Sequence, residues 1–292
     1  MKRKELLGDA SAAVYVPADE AAELWGSDPE RAAELAERAW QAIPEPRDQW
    51  VQTGAEVARQ SAEGELAAGH HEAAATWLER YREVADPDDR GEQAGYWALV
   101  GRLSLAMGLR ERAVEALDRA VALSGYFYEF AEHPKLLAQY RELKGLPVVR
   151  MPVPWVTTDR RAPEELSESA LAQLQTIYDE AAGLDDQEQH REALKVWERA
   201  WDVIPAPTQE WSWSATIYGG MGESLYWLAD YPMAELAFRF AMRCPGGDQP
   251  VGLARIAQSI ERGRGDAEMA ETYWSRAEAD QPGIRELAAQ ED

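Results

Sequence analysis

Ala39-Trp40-Gln41-Ala42-Ile43-Pro44-Glu45-Pro46-Arg47-Asp48-Gln49-Trp50 returns as Ala200-Trp201-Asp202-Val203-Ile204-Pro205-Ala206-Pro207-Thr208-Gln209-Glu210-Trp211, a shift of 161 residues (201 − 40). The same shift pairs Glu37-Arg38 with Glu198-Arg199 and Ala73 with Ala234. Two halves related by duplication explain this better than convergent composition, and internal periodicity is the first property to read in a fold.

Around both copies the spacing is helical. A small residue, a bulky one four on and often an alanine three further recur as Ala32/Ala36/Ala39, Ala113/Leu117/Ala120, Ala193/Trp197/Ala200, Ala234/Phe238/Ala241 and Ala270/Trp274/Ala277, with Ala73/Trp77 as a shorter instance. Steps of four and three keep these residues on one helix face, with alanine where two helices approach and an aromatic where they diverge. Each run is read as the second helix of a hairpin. The first helices show their own faces, most clearly Tyr218/Met221-Gly222/Leu225 and Trp97/Val100-Gly101/Ser104. Prolines stand at hairpin ends or in one proline-rich stretch, and no alternating pattern suggests strands. The expected class is therefore all-α. The stretch 146–163, beginning Leu146-Pro147-Val148-Val149-Arg150-Met151-Pro152, is held extended by its prolines and serves as a linker. It separates an N-terminal half, 1–145, with three hairpins and a short aromatic segment, from a C-terminal half, 164–292, with three more.

These faces resemble the tetratricopeptide repeat, with its aromatic, Leu-Gly, Gly-x-Tyr, Ala, aromatic, Ala and Pro positions; the resemblance implies an α-solenoid of stacked hairpins. Key alanines lie about 40 residues apart, more than the usual repeat of about 34, so some helices or loops are extended. The second half, with Cys244-Pro245-Gly246-Gly247 and Arg255-Ile256-Ala257-Gln258, is similar to a bacterial group of small tetratricopeptide proteins found beside polymorphic toxin genes. That group's later signature stands instead in the first half, as Gly125 through Lys135. The resemblance implies an immunity protein that sequesters a cognate toxin. A general tetratricopeptide adaptor or regulator binding a peptide segment is the alternative.

The chain has 292 residues, 46% of them hydrophobic, which is ample for a core. With 30 Lys+Arg against 53 Asp+Glu its net charge is −23, which disfavours nucleic acid and anionic lipid and favours a basic protein partner. Acidity also keeps an alanine-rich protein soluble, and the sequence leaves both meanings open. The single cysteine, Cys244, excludes an intrachain disulfide. With no signal-like apolar stretch and no run long enough to span a membrane, a cytoplasmic location is expected.

Chemistry is sparse. None of His70, His71, His133 and His190 has a second histidine or cysteine at helical ligand spacing, so no metal is expected. Neither a phosphate loop nor a nucleophile elbow occurs; no cofactor and no enzymatic activity are expected. Binding is expected instead on the first helices, which line the concave wall of such solenoids. Thr216, Gly219, Glu223, Tyr226 and Trp227 fall at outward positions of one such helix, and Arg255, Ser259 and Arg262 follow on the next. Tyr226 and Trp227 are the expected anchors. Trp211 and Trp213 open a helix after a proline turn and could serve the partner or the core. Trp40, Trp77, Trp197, Trp201 and Trp274 are assigned to packing.

Overall fold

A computed structural model describes residues 6, 8–126, 130, 133–152 and 166–291. Every regular element among them is helical, and the helices pack in adjacent pairs, in agreement with the all-α expectation. The 153–163 part of the expected linker and Phe127, Tyr128, Glu129, Ala131 and Glu132 of the aromatic segment lie outside the described residues.

The chain divides into two compact units, 1–124 with 143–145, and 125–142 with 146–292. In the first, α1 (Asp9–Leu24) pairs with α2 (Pro29–Ala42), α3 (Val51–Ala67) with α4 (His71–Val84), and α5 (Arg90–Ala106) with α6 (Arg110–Ser124). In the second, α7 (Pro134–Leu143) precedes three pairs and a last short helix. The pairs are α8 (Glu168–Asp185) with α9 (His190–Ala200), α10 (Ser212–Trp227) with α11 (Tyr231–Ala241), and α12 (Pro250–Arg264) with α13 (Ala267–Asp280). The chain then enters α14 (Ile284–Glu291).

Local chemistry sets these bounds. The Asp28 carboxylate accepts from the Arg31 amide at 3.1 Å and Pro29 opens α2, an N-terminus built from a capping acceptor and a residue with no amide to satisfy. At the other end α2 stops at Ala42, because Pro44 drives Ile43 to extended backbone. The second-helix faces are buried as spaced: Ala32, Ala36 and Ala39 in α2, Ala193, Trp197 and Ala200 in α9, and Ala270, Trp274 and Ala277 in α13. All five tryptophans assigned to packing are at most 5% exposed. Small residues oppose bulky ones across each pair. A Cβ on Gly101 would stand 2.5 Å from Leu117, and one on Gly222 would stand 2.8 Å from Phe238, so glycine allows α5–α6 and α10–α11 to close.

In one place the sequence register is corrected. Ala73, aligned above with Ala234, is half-buried, while Ala74, Leu78 and Tyr81 form the buried i, i+4, i+7 face of α4. The shift between the units is 161 residues at the starts of α3 and α10 and 160 at the starts of α4 and α11, because α3 has 17 residues and α10 has 16. The proline turns themselves match at 161: the Glu45–Pro46 and Ala206–Pro207 bonds are both cis, and each is followed by a 3-10 turn, Arg47–Gln49 and Thr208–Glu210.

Residues 146–152 belong to no regular element and form a strap along the second unit. The Arg150 amide donates to Glu198 Oε1 at 2.8 Å and its guanidinium to Asp202 at 2.6 Å; Tyr218 Oη donates to the Pro152 carbonyl at 2.7 Å. Deeper in that unit Glu235, 3% exposed at its side chain, is shared by Arg239 at 2.7 Å and Arg264 at 2.9 Å, which joins α11 to the end of α12.

Candidate functional site

Helix α10 is aimed by the proline turn before it. The Trp211 indole donates to the Pro205 carbonyl at 2.9 Å and the Ser214 hydroxyl to the Thr208 carbonyl, so both first-turn side chains grip the loop. Trp211 is thereby buried. Trp213 is half-buried with its ring edge-on to Tyr178 of α8, the centroids 6.4 Å apart.

From this start, Ser212, Ala215, Thr216, Gly219 and Glu223 succeed one another at helical spacing and line a groove of about 360 Å3. The opposite wall is the loop Pro245-Gly246-Gly247 with Gln249, followed by Val251 and Gly252 at the start of α12. The loop can approach only because residue 247 is glycine: a Cβ there would stand 1.8 Å from the Ala241 carbonyl oxygen. On the α10 wall Gly219 has open space where a Cβ would project. Thr216 is exposed and Val251 is 55% exposed.

At the far end Glu223 accepts from Arg255 Nε at 2.9 Å, and Arg255 Nη1 donates to Gln258 at 2.9 Å. Arg255 is 7% exposed and its guanidinium lies 5.0 Å from the Tyr226 ring centre and 5.9 Å from that of Trp227. Arg262, exposed, lies 5.3 Å from the Tyr226 ring centre. Tyr226 is thus buried at 1% exposure, which corrects its placement on the outward face. Its ring fills the space between α10 and α12, where cation–π contact with two arginines holds it. Trp227 is 43% exposed, with the His190 imidazole stacked beside it at 6.1 Å.

The structure therefore brings Thr216, Glu223, Trp227 and Arg262 to one stretch of surface, and it corrects the outward placement of Arg255 and Ser259, which are buried with Trp211 and Tyr226, Arg255 by its bonds to Glu223 and Gln258. Two supports were missed in the sequence. Gly247, Gln249 and Val251 form the second wall, which could have been suspected from the Cys-Pro-Gly-Gly turn. Asp185 gathers His190 Nδ1 at 2.9 Å, the Ser224 hydroxyl at 3.0 Å and the Trp197 indole at 3.4 Å, orienting the imidazole beneath Trp227. No local motif marks a carboxylate whose partners lie 5, 39 and 12 residues away.

Cys244, at the groove loop, is buried, and desolvation pushes its thiol up to about 12, so it stays protonated and unreactive at neutral pH. Among the described residues no three histidine, cysteine, aspartate or glutamate side chains converge as a metal site would require, and no helix is long and apolar enough to cross a membrane. The chain matches no protein-family model and no characterised protein at a significant level.

Proposed function

We propose that the chain is a protein-binding scaffold of tetratricopeptide-like hairpins in two duplicated halves, an immunity protein that holds a cationic toxin in the cytoplasm rather than an enzyme. The observation that carries the binding reading is the groove along α10. It is about 360 Å3 in volume, and one helical turn beyond Glu223, its last lining residue on α10, Trp227 is 43% exposed. An exposed aromatic beside a concave surface is the usual make-up of an interface anchor. Paired helices and the two similarly built proline turns support the repeat and its duplication. The net charge of −23 supports a basic partner, since complementary charge accelerates encounter and disfavours wrong partners.

Co-expression with the product of the adjacent gene tests both parts. A stable complex that rescues growth is expected, with affinity at least about tenfold weaker in Trp227→Ala and in Gly219→Trp, which fills the groove. Affinity should also fall as salt rises. A complex untouched by either substitution would place the interface elsewhere, and failure to form one would remove the immunity reading in favour of an adaptor for another peptide.

A further inference from the structure

Away from the groove, α7, α11 and the strap enclose a cavity of about 60 Å3 whose side-chain walls are apolar, among them Leu137, Ala138, Val149, Met151, Leu236 and Phe240. Arg141 also lines it, and this side chain is 1% exposed. Two edges of its guanidinium are used: Nε donates to the Pro147 carbonyl at 2.8 Å and Nη2 to Asp230 at 2.6 Å. The third nitrogen, Nη1, is buried without an acceptor. An unmade hydrogen bond from a buried charged donor is costly, and a side chain fixed so firmly on its other edges cannot swing away to find water.

The chemistry of the missing acceptor follows from its surroundings. A lone water needs two to four polar partners, whereas these side-chain walls offer it Nη1 and otherwise carbon and the weakly accepting thioether sulfurs of Met151 and Met233. An anion would stand close to Asp230, which already balances the arginine charge, and like charges at short range repel. An uncharged oxygen attached to an apolar body satisfies Nη1 and the walls together. We propose that this cavity is a binding site for a small neutral organic molecule, a short branched aliphatic carrying one carbonyl oxygen that accepts from Arg141 Nη1. At roughly 10–15 Å3 for each water-sized group, it has room for about four to six non-hydrogen atoms. Val148, 59% exposed on the strap, also lines the cavity and marks its solvent side. The site is independent of the groove and of any reading of the partner.

Titrating the full-length, isotope-labelled protein with 3-methylbutan-2-one, while following the Arg141 side-chain resonances, tests this. Saturable binding in the millimolar range is expected, at least about tenfold tighter than isobutyrate and weakened by about tenfold or more in Ala138→Phe, which fills the cavity. If circular dichroism shows that Ala138→Phe does not fold, Val148→Trp at the solvent edge serves as the blocking variant. Equal or tighter binding of isobutyrate would overturn the neutral-ligand assignment. So would ketone binding that the filled variants leave unchanged. Absence of saturation to about 50 mM, with ordered water on Nη1 in a crystal, would assign the cavity to solvent.

Discussion

Gly219 and Gly247 face each other across the groove and should answer the same substitution with opposite signs. Gly219 has open space at its Cβ position within a helix, so Gly219→Ala should add about 0.5–1 kcal/mol of stability by removing backbone entropy from the unfolded chain. Gly247→Ala drives a methyl to 1.8 Å from a backbone oxygen and should cost about 3 kcal/mol, or shift the loop. Urea midpoints of the two variants check this, and equal shifts of one sign would mean that the loop is looser than its packing indicates. Single residues were unevenly legible in the sequence. Thr216, Glu223 and Trp227 could be placed because helical spacing alone puts them on one face. Tyr226 could not, because its burial depends on Arg255 and Arg262 from the next hairpin, about 30 residues away.

At the scale of elements, five of the six hairpins turn through a residue with positive φ, the α1–α2 turn being the exception. Gly69, Gly108 and Gly265 supply it freely at φ 82°, 73° and 66°, whereas Ala229 takes φ 58° between α10 and α11 with a Cβ to accommodate. Ala229→Gly should therefore raise the melting temperature, by about 1 kcal/mol of stability, while Gly108→Ala should lower it by a similar amount. Thermal melts of the pair decide whether the turn at 229 carries this strain. Helices and turns were the most legible level in the sequence, since proline and glycine punctuation agreed with the periodicity. Two features escaped it. The extra residue of α3 hides because both registers of α4 bury an aromatic, Trp77 or Tyr81. Helix α1 is implied only as the partner of α2, and its course was hidden because Pro17 lies inside it, against the expectation that prolines stand at hairpin ends or in the proline-rich stretch.

For the molecule as a whole, alkaline pH should be the weak flank. Burial raises the Cys244 thiol from its ordinary 9.0 to about 12, and burial, reinforced by the neighbouring Cys244 charge, raises Tyr218 well above the usual phenol range. Both groups are neutral in the fold and ionise first in the unfolded chain. Their contribution is thus complete below pH 9 and is lost as pH climbs toward 12. For Cys244 the loss is about 1.4 kcal/mol per pH unit across that window. Urea unfolding at pH 8 and pH 10 should show this fall, and Cys244→Ala should fall by correspondingly less; an identical fall would clear the thiol. Charge and class were legible at this scale because they are sums over the sequence. The strap was legible as non-helical but not as attached, since Glu198, Asp202 and Tyr218 carry no local sign of their partner. That attachment bears on where the polypeptide can be divided. A fragment begun at Glu164 would surrender Arg141 and the strap together. Asp230 would lose the partner that neutralises it, Tyr218 its acceptor, and Met233, Leu236 and Phe240 the apolar cover that α7 and the strap provide. The shortest C-terminal piece with its own interior intact begins near Gly125, upstream of the prolines that look like the seam.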